Sequence, residues 1–113
     1  MSKIQKKRND IIRNTLEYPY HINCIRVSTN TTEAHRNKIV EICLEAIKRG
    51  ISFTTESKLK GGGRADCVLL DMGLIVEVTH TETIKSIETK KKTYPLPVVF
   101  IPAECKFTWK MLQ

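Results

Sequence analysis

The sequence predicts an α/β domain, a mixed β-sheet flanked by helices in the order α-β-β-β-α-β. Three observations lead there. Residues 30–49 place apolar side chains at helical spacing and stop at Gly50. Residues 65–70 and 74–80 are nearly continuous apolar runs split by the tight turn Asp71-Met72-Gly73. A polar helical stretch at 81–92 then leads, past Pro95 and Pro97, into the apolar run Val98 to Ile101. Strands this uniformly apolar are covered on both faces, and a strand entered from a helix commonly lies parallel to its neighbour.

A chain of 113 residues with 41% hydrophobic side chains makes one small folded domain and is not a disordered segment. Nineteen Lys and Arg against 12 Asp and Glu give a net charge of +7, which favours a polyanionic partner, nucleic acid ahead of membrane. No apolar run approaches the ~20 residues that cross a bilayer, and the charged first ten residues do not read as a signal peptide. The expected location is intracellular, cytoplasmic or nucleoid-associated. Cys24, Cys43, Cys67 and Cys105 form no CxxC and no zinc spacing with histidine; Cys43 and Cys67 read as small core residues.

Residues 1–29 form a basic N-terminal arm or helix with a lead-in strand. Lys3, Lys6, Lys7, Arg8 and Arg13 alternate with Ile4, Ile11, Ile12 and Leu16, and Tyr18-Pro19-Tyr20 breaks the pattern. Residues 23–29 fit a short strand or an extended lead-in. Residues 30–103 are the core. Asn30 followed by Glu33 resembles a capping box, and Ile39, Val40, Cys43, Ala46 and Ile47 mark the inner helical face. Ile51 to Glu56 is the first strand of the sheet. In the helix at 81–92, Ile84 and Ile87 point inward and Lys90, Lys91 and Lys92 suit the C-terminal end of the helix dipole. Residues 104–113, with Phe107, Trp109 and Met111 alternating, form a docking segment or an added strand of the same domain.

Only Asp66 and Glu77 interrupt the two apolar strands. In a hairpin they lie side by side, and two adjacent buried carboxylates repel unless a cation or a proton separates them. Oxygen ligands of this kind suit Mg²⁺ or Mn²⁺ rather than zinc. The loop before Asp66 sets Lys58, Lys60 and Arg64 around Gly61, Gly62 and Gly63, a pattern fit to hold phosphate. It is no nucleotide-binding P-loop, because no Gly-Lys-Ser/Thr follows. With the arm residues Lys6, Lys7 and Arg8, these cations make the candidate nucleic-acid surface.

The order of elements and acids resembles the PD-(D/E)XK nucleases, most closely the archaeal Holliday junction resolvases, over roughly residues 30–103. That likeness implies a restriction-endonuclease-like core and metal-dependent cleavage of DNA, branched DNA included, by a homodimer. It implies that Asp66 and Glu77 bind Mg²⁺ or Mn²⁺, with the Val78 carbonyl as a further ligand and Glu56 as an additional acid. A helix acid of the family falls at Glu33 or a neighbour. Two positions depart from the pattern: Ala65 stands where proline is common, and Thr79 stands where the motif lysine belongs. Threonine positions a water but supplies no charge, so either another lysine (Lys85, Lys58 or Lys60) reaches the site, or catalysis proceeds without one, or the chain no longer cuts. The rival readings are a nuclease-like fold that binds nucleic acid without cutting it, and a structural subunit docking through residues 107–112.

Overall fold

The computed structural model describes residues 2–80 and 83–113. Three helices, α1 (Lys3–Thr15), α2 (Glu33–Lys48) and α3 (Ile84–Thr93), surround four strands, β1 (Phe53–Lys58), β2 (Arg64–Leu69), β3 (Leu74–Thr79) and β4 (Val98–Pro102). A short 3-10 turn, Trp109–Leu112, closes the chain. The sheet order is β1-β2-β3-β4, with the first two pairings antiparallel and β3–β4 parallel. The architecture is α/β with a mixed sheet, and the crossover through α3 makes the last pair parallel, as the sequence led us to expect.

Both sheet faces are covered, which is why β2 and β3 read as continuous apolar runs. On one face Cys67, Leu69, Val76 and Val78 pack with Ile39, Ile42, Cys43 and Ala46 of α2. On the other, Val68, Leu70 and Ile75 meet Ile12 and Leu16 at the end of α1. The N-terminal segment is thus a helix seated on the sheet. Ser2 caps it by accepting from the Gln5 N–H, and Arg8 forms a two-pronged ion pair with Asp71 in the β2–β3 turn. Asp71 also accepts from the Ser52 N–H, tying three segments at one carboxylate.

Several local expectations are corrected. Helix α2 is capped by Thr32, whose hydroxyl accepts from the His35 N–H, and not by Asn30. Asn30 instead donates its N–H to the Ser28 hydroxyl in the turn before the helix. Ile47 and Ile84 face solvent, while Ile42 holds the inner position. Ile4 is also exposed, because α1 only meets the sheet towards its C-terminal end. Residues 23–26 form no strand of their own but fasten to the outer edge of β1. Asn23 and Phe53 exchange hydrogen bonds, and Thr55 Oγ1 bridges the Cys24 carbonyl and the Arg26 N–H. β4 forms the opposite edge, between Pro97 and its own last residue Pro102.

The C-terminal segment packs against the domain as a 3-10 turn, not as an added strand. Phe107, Trp109 and Leu112 are buried in the α2-side core, and the Arg49 guanidinium lies 4.8 Å from the Trp109 ring centroid. Met111, between Trp109 and Leu112, is exposed. All four cysteines are free, with Cys43 and Cys67 buried against each other. Among the described residues, no helix is long and apolar enough to cross a membrane.

The α2 face sets a direct contrast. Ile42→Ala is expected to destabilise the fold by about 2–5 kcal/mol, whereas Leu44→Ala, one turn face away and exposed, stays within about 0.5 kcal/mol. Chemical denaturation of the two variants measures the difference.

Candidate metal and phosphodiester site

Strands β2 and β3 pair regularly from Leu69↔Leu74 to Cys67↔Val76, and there the ladder ends. Beyond it the two acids take over the backbone. Glu77 Oε2 accepts from the Asp66 N–H at 2.8 Å, and Asp66 Oδ2 accepts from the Val78 N–H, also at 2.8 Å. Each carboxylate satisfies a donor of the opposite strand that ordinary pairing would have served. The strand alternation also slips here: Ala65 packs in the α1-side layer with Val68 and Leu70, out of phase with Cys67 and Leu69. Across from Asp66, Glu56 takes a left-handed backbone (φ +49) that a glutamate rarely adopts, a local strain of the kind held at functional sites.

Glu77 is 3% exposed. Its Oε1 receives the Tyr94 hydroxyl at 3.2 Å and lies 3.4 Å from Lys90 Nζ, both side chains coming from the end of α3. Burial, and next the charge of Glu77, hold Tyr94 up at about 12, so it remains a donor. Asp66 faces His35 of α2, whose Nε2 is 3.3 Å from Oδ2. Burial lowers the His35 pKa, keeping it neutral at pH 7, and its Nδ1 is buried without a hydrogen-bond partner among the described residues. Burial first, and then the neighbouring Glu77, push Asp66 up to about 8. Glu56 is raised too, by burial and by Glu77, against the pull of Arg64 and Arg26.

These facts sort the expected residues. Asp66 and Glu77 come together, with Glu56 electrostatically coupled to both. Thr79 is half-buried at the end of β3. Lys85 lies on the exposed side of α3, in a groove of about 600 Å³ that the three glycines also line. Lys90, five residues further along and lining the same groove, is the lysine ion-paired with Glu77, while the Lys60 ammonium donates to the Arg13 carbonyl. Glu33 begins α2 exposed, and His35, two residues on, is the helix residue that touches Asp66. His80 is exposed beside Glu104 at 3.6 Å.

His35, Lys90 and Tyr94 were therefore missed by sequence reasoning. A signal existed for each. His35 falls on the same stripe as Ile39, Ile42 and Ala46, and Lys90 and Tyr94 continue the face of Ile87 by three and seven residues. Gly63 is required by this packing: at φ +89, an added Cβ would stand 2.9 Å from the Tyr94 ring.

The donor set fits a hard divalent cation. The Asp66 and Glu77 carboxylates are neighbours across the strand pair, burial holds His35 neutral, and Lys90 is ion-paired with Glu77. Among the described residues, no group of three or more His, Cys, Asp or Glu is arranged to hold a metal ion. A cation here would depend on the two carboxylates, backbone oxygen, water and phosphate, the manner in which Mg²⁺ is commonly held. No protein-family model matches the chain, and no curated protein or solved structure does.

The raised Asp66 pKa carries a sign. The folded chain keeps a proton that the unfolded chain loses near 3.8, so this residue's contribution to stability is complete below that value and is lost as pH rises towards about 8. Melts of wild type and Asp66→Asn between about pH 4 and about pH 9 are expected to diverge, the wild type losing stability that the amide variant keeps.

Proposed function

We propose that the chain is a metal-dependent endonuclease of the PD-(D/E)XK type, with a restriction-endonuclease-like core, which hydrolyses DNA phosphodiester bonds and acts as an intracellular homodimer. The observation that carries this reading is the crossed pair Asp66 and Glu77 at the point where β2 and β3 part, with Lys90 3.4 Å from Glu77. Backbone capping needs only a neutral acceptor, whereas two buried carboxyl groups side by side, one of them driven to keep its proton, make a site that a cation would relieve. The lysine on α3 supplies the cation that Thr79 lacks.

Asp66, Glu77 and the Val78 carbonyl would hold Mg²⁺ or Mn²⁺. Bound there, such an ion lowers the pKa of a water and offsets charge that develops on the phosphate. The chain provides the rest. Lys90 places a second positive charge at the acids, where it stabilises the phosphate as negative charge builds. Tyr94 and Lys90 together fix the Glu77 carboxylate, and His35 and the Val78 N–H fix Asp66. The Thr79 hydroxyl orients water near the end of β3. Lys58, Lys60 and Arg64, around the glycine loop, hold flanking phosphates through charge and backbone N–H groups. A four-way junction is the substrate we favour, since two copies can cut its two opposed strands.

The test is cleavage of labelled four-way junction, linear duplex and single strand with Mg²⁺ or Mn²⁺. Nicks are expected that vanish in Asp66→Ala, while binding persists or tightens because a negative charge has gone. Lys90→Ala is expected to cut about a hundredfold more slowly, and Lys85→Ala within a few-fold of wild type. Thr79→Lys in the Lys90→Ala background is expected to recover part of the rate. An Asp66→Ala variant that cuts like wild type would remove the site. Binding without cuts in the wild type would leave a non-catalytic nucleic-acid-binding protein. Independently of activity, Mg²⁺ is expected to raise the melting temperature at about pH 9 more than at about pH 5, because it competes with the Asp66 proton.

A further inference from the structure

A second groove lies on the far side of the glycine loop. It has a volume of about 840 Å³ and runs between α1 and the chain that leaves it. Its floor is apolar, from Ile12 and Leu16, and its wall carries two tyrosines. Tyr18 is 85% exposed and Tyr20 37%, with their rings edge to face at 5.9 Å. The rim is cationic, from Lys6, Arg13 and Lys60. Asp10, also on the rim, is paired with Arg13 at 2.7 Å, so positive charge remains in excess.

The groove is held by the fold and not by a loose tail. Leu16 bridges to Leu59, the Lys60 N–H donates to the Thr15 carbonyl at 2.8 Å, and the Glu17 N–H donates to the Lys58 carbonyl at 3.0 Å. The Lys60 ammonium donates to the Arg13 carbonyl. Lys60 lines this groove, and Gly61, the next residue, lines the groove that leads past Lys90 and Tyr94. One strand of nucleic acid crossing the glycine loop would pass from one groove into the other.

We propose that this groove receives an unpaired base of the bound nucleic-acid strand, stacked on the exposed ring of Tyr18, which Tyr20 meets edge to face, with its phosphates against Lys6, Arg13 and Lys60. The inference rests on the reading of the chain as a nucleic-acid enzyme, and it adds that the protein grips single-stranded nucleotides next to the duplex it cuts. An aromatic surface accepts any base by its π-face, while cations track the backbone; this combination is what single-strand grooves use. A volume within the roughly 300–1,000 Å³ of ordinary ligand sites has room for a base with its sugar. A protein segment docking here would have no need of three cations on the rim.

Fluorescence anisotropy in EDTA tests this without cleavage, using fluorescein-labelled blunt duplex, the same duplex with a short single-stranded overhang of either polarity, and the overhang duplex with abasic sites in place of bases. Wild type is expected to bind one overhang about tenfold tighter than blunt or abasic DNA. Tyr18→Ala should lose that preference and keep blunt-duplex affinity, Tyr18→Phe should retain it, and Lys60→Ala should weaken all three probes. The exposure of Tyr18 makes the variant's melting temperature a valid folding control. Equal affinity of wild type for overhang and abasic overhang would overturn the proposal, as would a Tyr18→Ala variant with unchanged preference. Cleavage assays on the same proteins separate the two readings. Metal-dependent cutting without a tyrosine-dependent preference sinks only the groove, and a tyrosine-dependent preference without cutting sinks only the nuclease.

Discussion

Two carboxylates, each bonded to the other strand's backbone, join β2 and β3 where their ladder ends. A β-hairpin normally continues its ladder until side chains or a turn stop it. Here Asp66 and Glu77 replace the next rungs, taking the Val78 and Asp66 N–H groups. The strands can therefore diverge without leaving buried donors unpaired, which would cost about 1–3 kcal/mol apiece. Elements from three directions meet the two acids: α2 with His35, α3 with Lys90 and Tyr94, and β1 with the strained Glu56.

Surrounding structure holds the two acids in place from both sheet faces. The α2-side core is continuous from Ile39 to Leu112, and the α1-side layer joins Ile12, Leu16 and Leu59 to Ile75. Each layer grips one face of the same two strands, so the charged pair sits between two packed apolar slabs and not at a loose rim. Burial is what makes the pair chemically tense: desolvation is the largest cause of the raised Asp66 pKa, ahead of Glu77. The same burial that disfavours two bare charges rewards whatever neutralises them.

The strands were legible in the sequence because both their faces are buried, and a run such as Leu-Ile-Val-Glu-Val leaves little else for Glu77 to do but face a partner. Helix α2 was legible through Ile39, Cys43 and Ala46, although its cap was misplaced by two residues because Ser28, Asn30 and Thr31 form a competing turn with its own hydrogen bonds. The lysine that pairs with Glu77 was legible only as a helix face, since Lys90 continues the line of Ile87. Lys85, Lys90, Lys91 and Lys92 share one short helix, and choosing among them requires the helix phase relative to Glu77, which only the β3-α3-β4 crossover sets. The contribution of α1 was obscured for another reason: its apolar residues crowd into the last turns, so the periodicity over the whole helix is weak.

The two edges of the sheet are managed differently, and this bears on how the molecule meets others like itself. β1 is screened by the Asn23 to Arg26 segment, whose hydrogen bonds use up the outward backbone groups of Phe53 and the Thr55 side chain. β4 is short, follows Pro97 and ends at Pro102, residues that donate no N–H. Lys91 lies over the ring of Phe100 at 5.9 Å, placing a charge beside that edge. A strand with such ends offers few rungs for a foreign strand to continue. Copies of this chain at high concentration are thereby steered away from stacking edge to edge into fibrous aggregates.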